Sequence, residues 1–157
     1  MRFNGNASLA AVSFSDGSLK IINPMIGDKL YEIKDEEMKF PITNLTWKPT
    51  RNESHDATKL LGSTLNGSII RWTHKTANTV EHIELNSKHQ YHAIDYASDG
   101  RRFVVAGAQP TIDIYDEETM TNIQTIGDKV APAHTNKVFT CRFSRLSADL
   151  LYSGSWD

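Results

Sequence analysis

His134, a serine at position 153 or 155, and Asp157 together supply the side chains of a hydrolytic triad. An imidazole can take a hydroxyl proton while a carboxylate holds it in one tautomer, which is the logic of nucleophilic catalysis. The surroundings do not support a catalytic reading. Ser153-Gly154-Ser155 continues the apolar run Leu150, Leu151, Tyr152 and has no G-x-S-x-G elbow around it. Cys141 is the one cysteine, so no internal disulfide can form. Its neighbours Thr140 and Arg142 make no pattern that would lower a thiol pKa, and it reads as an inert buried thiol. His74, His82, His89 and His92 are the other groups of interest. Zinc needs about four ligands in a tetrahedron, and strand residues three apart point to opposite faces, so no metal site is expected. The glycines match neither G-x-G-x-x-G nor G-x-x-x-x-G-K, so no cofactor is expected either.

These residues lie in a chain that reads as strands throughout. ITNLTW (42–47), YHAIDY (91–96) and VFTCRF (138–143) each end in an aromatic residue followed by turn formers. In the last, Val138, Thr140 and Arg142 should face one way and Phe139, Cys141 and Phe143 the other. Asp16-Gly17 and Asn66-Gly67 predict two-residue hairpin turns with positive φ. The strands SLKIIN, SIIRWT and TIDIYD align on Ile22, Trp72 and Tyr115, at spacings of 50 and 43 residues. The polar stretch 49–58 reads as an insertion that lengthens the first spacing. No apolar pattern of helical period runs over several turns, so the fold class is all-β.

The segment AHTNKVFTCRFSRLSADLLYSGSWD places a His, an alternating strand, a turn, a second strand, then Ser-Gly-Ser and an Asp. That order resembles the front half of a WD repeat, one blade of a β-propeller, and the spacings fit the repeat length of about 40–45 residues. The resemblance implies blades of four-stranded antiparallel sheets in an incomplete ring. Blade one would be partial within 1–34, blade two would span 38–85 and blade three 87–128. Residues 134–157 would give the first two strands of blade four. It also implies a structural His–Ser/Thr–Asp–Trp relay, which only blade four could carry in full while the other blades hold degenerate versions. His134, Ser153 or Ser155, and Asp157 match it in blade four. In blade two Trp72 takes the Trp position and Asn66 the Asp position, with Met38 where His belongs. In blade three Tyr115 replaces Trp and Ser87 falls near the His position, while blade one has Asp16 but Ile22 for Trp.

Composition narrows the function. Seventeen Lys and Arg against 19 Asp and Glu leave a net charge of −2, which gives no global pull toward nucleic acid. The acidic runs 35–37 and 116–118 read as solvated loops. No apolar run approaches the ~18 residues of a membrane span, and no signal-peptide core follows Met1. An intracellular location, cytoplasmic or nuclear, is expected. The resemblance implies a scaffold whose loops bind other proteins or peptides. The alternatives are a subunit of a ribonucleoprotein or chromatin complex and, third, an enzyme whose site lies outside these residues. Contact positions on one face of the disc are expected at Pro41, Thr43 and Leu65, at Gln90, His92 and Ala108, and at Lys137, Phe139 and Trp156. A partial array leaves apolar flanks without a neighbour. Residues 1–157 are therefore expected to belong to a longer protein or to be completed by another chain.

Overall fold

The structure, a computed structural model, describes residues 1–34, 40–49, 58–74, 78–85, 89–127 and 130–157. The acidic run at 35–37, Met38, most of the 49–58 insertion and Ser87 lie outside them, as do the side chains of His74 and His82. The first sheet holds β1 (Arg2–Phe3), β2 (Ala10–Ser13), β3 (Leu19–Ile22) and β4 (Lys29–Ile33). The second holds β5 (Ile42–Trp47), β6 (Thr58–Thr64), β7 (Ser68–His74) and β8 (Asn78–Glu84). The third holds β9 (Tyr91–Tyr96), β10 (Arg102–Gly107), β11 (Ile112–Asp116) and β12 (Asn122–Ile126). The fourth pairs β13 (Val138–Phe143) with β14 (Leu151–Ser155). Every pairing is antiparallel between sequence neighbours. The first strand of each sheet lies inside, with β9 between β5 and β13, so the sheets stack as blades around an axis.

Three apolar layers separate the four sheets, and strand alternation assigns each residue to one of them. Leu60, Ile70 and Trp72 join Leu19, Ile21 and Trp47 between sheets one and two. Their neighbours Leu61 and Ile69 point the other way, onto Ile94, Phe103 and Tyr115. Val104, Ile112 and Ile114 meet Val138, Cys141 and Phe143 in the third layer. Because the third sheet is covered on both faces, β10 is a continuous buried run, FVVAG, rather than an alternating one. Cys141 is buried there, and burial, then the Asp95 charge, pushes its thiol up to about 12.

The hairpins differ from the two-residue turns that the sequence suggests. Gly17 and Gly67 have φ of 83° and 89°, but Asp16 and Asn66 stay at negative φ. The Gly17 amide bonds Phe14 O at 3.2 Å and the Gly67 amide bonds Thr64 O at 3.2 Å, so each loop is a four-residue turn ending in a left-handed glycine. Asp16 spends its carboxylate on the Ser18 amide (3.0 Å) and hydroxyl (2.6 Å). Asn66 Oδ1 accepts from the Thr64 and Ser68 hydroxyls.

Buried charge fixes the blades against one another. Glu117, expected in a solvated loop, is buried instead, because two lysines of the second sheet reach it: Lys48 at 2.6 Å and Lys59 at 2.9 Å. Arg102 of the third sheet pairs with Asp149 of the fourth at 2.9 Å. Asp95, on β9, is 2 % exposed and bonds to both neighbouring sheets. Its Oδ1 accepts from the Thr46 hydroxyl (3.1 Å) and Arg142 Nη1 (3.2 Å), and its Oδ2 from the Phe143 amide (3.1 Å).

Burial lifts the Asp95 carboxyl above its ordinary 3.8, against the pull of the Phe143 amide and Thr46 hydroxyl. A folded value above the unfolded one means that folding favours the protonated form. That contribution is whole below the unfolded value and disappears as pH rises through the raised one. At neutral pH the buried charge therefore costs stability, and its donors offset the cost. Asp95→Ala, which strands all three donors, should lower the unfolding free energy by about 3 kcal/mol in urea titrations, and Asp95→Asn by less. An Ala variant as stable as wild type would refute the role. The buried Tyr96 hydroxyl has no hydrogen-bond partner among the described residues, and burial, then Glu117, raises its pKa well above the ordinary 10.0. Tyr96→Phe should thus raise stability, by up to about 1 kcal/mol in thermal melts, since nothing is left unpaired by the change. A clear loss would show that the hydroxyl has a partner.

Candidate functional site

Three of the four inner strands, β5, β9 and β13, share one irregularity near their starts. In β5 the ladder passes from Ile42 to Asn44, in β9 from Tyr91 to Ala93, and in β13 from Val138 to Thr140. Each time one residue is left out: Thr43, His92 and Phe139. A bulge of this kind re-aims a side chain that strict alternation would send into a core. It also corrects the parity expected for β13. Val138 shares a layer with Cys141 and Phe143, while Phe139 leaves that layer altogether. In β9 the bulge brings the Gln90 carbonyl so close to Gly107 that a Cβ there would lie 1.9 Å from the oxygen, which requires glycine.

The released residues differ in use. Thr43 Oγ1 lies within 3.0 Å of the carbonyls of Ser63 and Tyr91 and of the Ser63 hydroxyl, so it joins the second blade to the third. His92 stacks on Phe139 at 5.8 Å with the rings 12° apart. Phe139 packs on Trp156 at 4.5 Å, and the Lys137 ammonium lies 5.4 Å and 5.6 Å from the two ring centres. Trp156 remains 75 % exposed, the one member of the cluster that offers a broad apolar face to solvent. Burial and then the Lys137 charge hold the His92 imidazole below its ordinary 6.5.

Of the nine contact positions expected from sequence, the structure thus gathers His92, Lys137, Phe139 and Trp156. The other five are engaged in hydrogen bonds of their own. Thr43 is occupied between blades. Pro41 O accepts from the Leu65 amide (3.1 Å) and Gln90 O from the Ala108 amide (2.9 Å), which closes the corresponding corners of blades two and three.

His134 lies beside the cluster. Its Nδ1 sits 3.1 Å and 3.2 Å from the Asp157 carboxylate oxygens, and its Nε2 sits 2.8 Å from Ser153 Oγ. Ser155 is not part of this relay; its hydroxyl donates to Lys137 O at 2.9 Å. Ser153 is exposed, and the side chains of His134 and Asp157 are partly covered. Asn66 and Trp72 are not brought together: Asn66 closes its own turn, and Trp72 is in the core, edge-on to Trp47 at 6.1 Å. His89 bonds Gln109 at 3.2 Å, and His92 is committed to its stack.

No family model and no curated protein matches this sequence. Among solved structures, a chain in the crystal structure of the mitotic checkpoint complex superposes with a TM-score of 0.76 over 98 % of this chain, at 16 % identity. This chain spans 42 % of the length of that one. The likeness defines the fold: an all-β protein of propeller blades in an incomplete ring.

The Thr135 amide donates to Asp157 at 2.7 Å, and with His134 it draws the Asp157 carboxyl down to about 2. A depressed folded value gives a contribution present above the unfolded 3.8 and lost as pH falls toward 2. Carbon NMR should find Asp157 titrating near 2, and Thr135→Pro, which deletes the donor, should move the midpoint up toward 3.8. A wild-type midpoint at 3.8 would dissolve the Thr135–Asp157 bond.

Proposed function

We propose that this protein is a scaffold that presents the mouth of its inner strands to protein partners in a multiprotein assembly and performs no catalysis itself. The observation that carries the reading is Trp156, exposed on a platform of Phe139 and His92 with Lys137 at its edge. Aromatic residues on a rigid support are enriched among interface hot spots, because little side-chain freedom remains to be lost on binding. The Lys137 charge selects the partner's chemistry: a peptide segment that lays an apolar side chain on Trp156 and brings a carboxylate to the ammonium. The checkpoint-complex structure, itself a multiprotein assembly by its title, supports the reading at the level of the fold. The relay around His134 orders the chain next to this platform and is structural in this reading. The cytoplasm or the nucleus is the compartment it implies.

Pull-downs from nuclease-treated native extract should compare wild type with Trp156→Ala. Proteins that survive nuclease and are lost from the variant, while the circular dichroism of the strands is unchanged, are the expected result. Equal capture by both forms would remove Trp156 from the site. Capture abolished by nuclease would favour the ribonucleoprotein alternative, and turnover of a small molecule would favour an enzyme.

A further inference from the structure

The opposite ends of the inner strands enclose a cavity of about 440 Å³ that is chemically unlike the aromatic mouth. All four sheets reach it: Arg2 from the first, Thr46 and Lys48 from the second, Asp95 from the third, and Arg142 and Arg145 from the fourth. Four cations thus face one carboxylate. Two of the four are already engaged, Lys48 with Glu117 and Arg142 with Asp95. Asp95 has its hydrogen bonds taken by Thr46, Arg142 and the Phe143 amide. Arg2 O accepts from the Trp47 indole at 2.9 Å, but the Arg2 and Arg145 guanidiniums have no hydrogen bond or ion pair among the described residues, although both lie within electrostatic reach of Asp95. Two guanidiniums without a hydrogen-bonded partner among the described residues therefore line one cavity from the first and the fourth blades, and the carboxylate in its wall, Asp95, has its hydrogen bonds committed to other donors.

We infer that this cavity binds a small, multiply charged phosphate compound, with Arg2 and Arg145 each engaging one phosphoryl group. A guanidinium presents a planar fork of donors that matches phosphate oxygens two at a time, and it stays charged at every physiological pH. The volume lies in the range of small-molecule sites, ample for a diphosphate. A ligand held by the first and fourth blades at once also braces the array, so binding should stabilise the fold by mass action. The inference is independent of the aromatic mouth, since it uses none of the same residues.

The test is calorimetric titration of the whole chain with pyrophosphate, paired with thermal melts. Saturable binding at one site and a raised melting temperature are expected, with affinity falling at least about tenfold in Arg145→Gln and in Arg2→Gln, the scale of one charge-assisted contact. Arg101→Gln, at a residue outside the cavity lining, should bind as wild type does. Circular dichroism checks that each variant is folded, and a chemical-shift map of labelled wild type locates the site without any substitution. No saturable binding to wild type, shifts placed away from Arg2 and Arg145, or equal weakening by Arg101→Gln would overturn the inference.

Discussion

Asp95 is the interaction on which the blade geometry depends. Apolar layers hold the sheets face to face, but apolar contact is non-directional and lets one sheet slide or rotate on the next. A buried carboxylate with three donors from two neighbouring sheets does not. It fixes the height of β13 against β9 through the Phe143 amide and of β5 against β9 through Thr46. Burial makes this anchor expensive, as the raised carboxyl pKa records. Buried polar networks of this kind exchange stability for a unique arrangement. Glu117 repeats the device farther out between the second and third blades, where two lysines surround one carboxylate.

The recurring bulge is the second organising feature. Regular alternation gives each residue of an inner strand to one inter-blade layer or the other. Skipping one residue per strand, at Thr43, His92 and Phe139, frees that side chain. Blades two and three then join through a threonine, and blades three and four through an imidazole–phenyl stack. The two ends of the channel consequently differ. One is aromatic and built on irregular backbone; the other is lined by cations at the regular ends of the strands. A single stack of blades can in this way offer two surfaces that do not compete for residues.

Local pattern reached far into this molecule. Period-two alternation, aromatic strand ends and glycine-bearing turns mark the strands, and the spacing of Ile22, Trp72 and Tyr115 sets the unit that repeats. The order of His134, the serines and Asp157 brought the relay into view, and the turn positions brought in Lys137 and Trp156. These are properties of backbone pleat and turn geometry, which act over a few residues and so are written in a few residues. Ser153 and Ser155 have the same parity, and only the three-dimensional position of His134 separates a relay member from a hydroxyl bonded to Lys137 O. Phe139 has the parity of a core residue until the bulge is seen. Glu117 sits in an acidic run that looks solvated, yet its partners are 58 and 69 residues away in sequence. The Arg2–Arg145 cavity joins groups from the first and fourth blades. Strand, turn and repeat were determined by the sequence itself, because they arise from neighbours along the chain. Which charges are buried, which aromatics stack and which cations share a cavity was decided by the tertiary structure, because those energies depend on partners that only blade packing brings within a few ångströms.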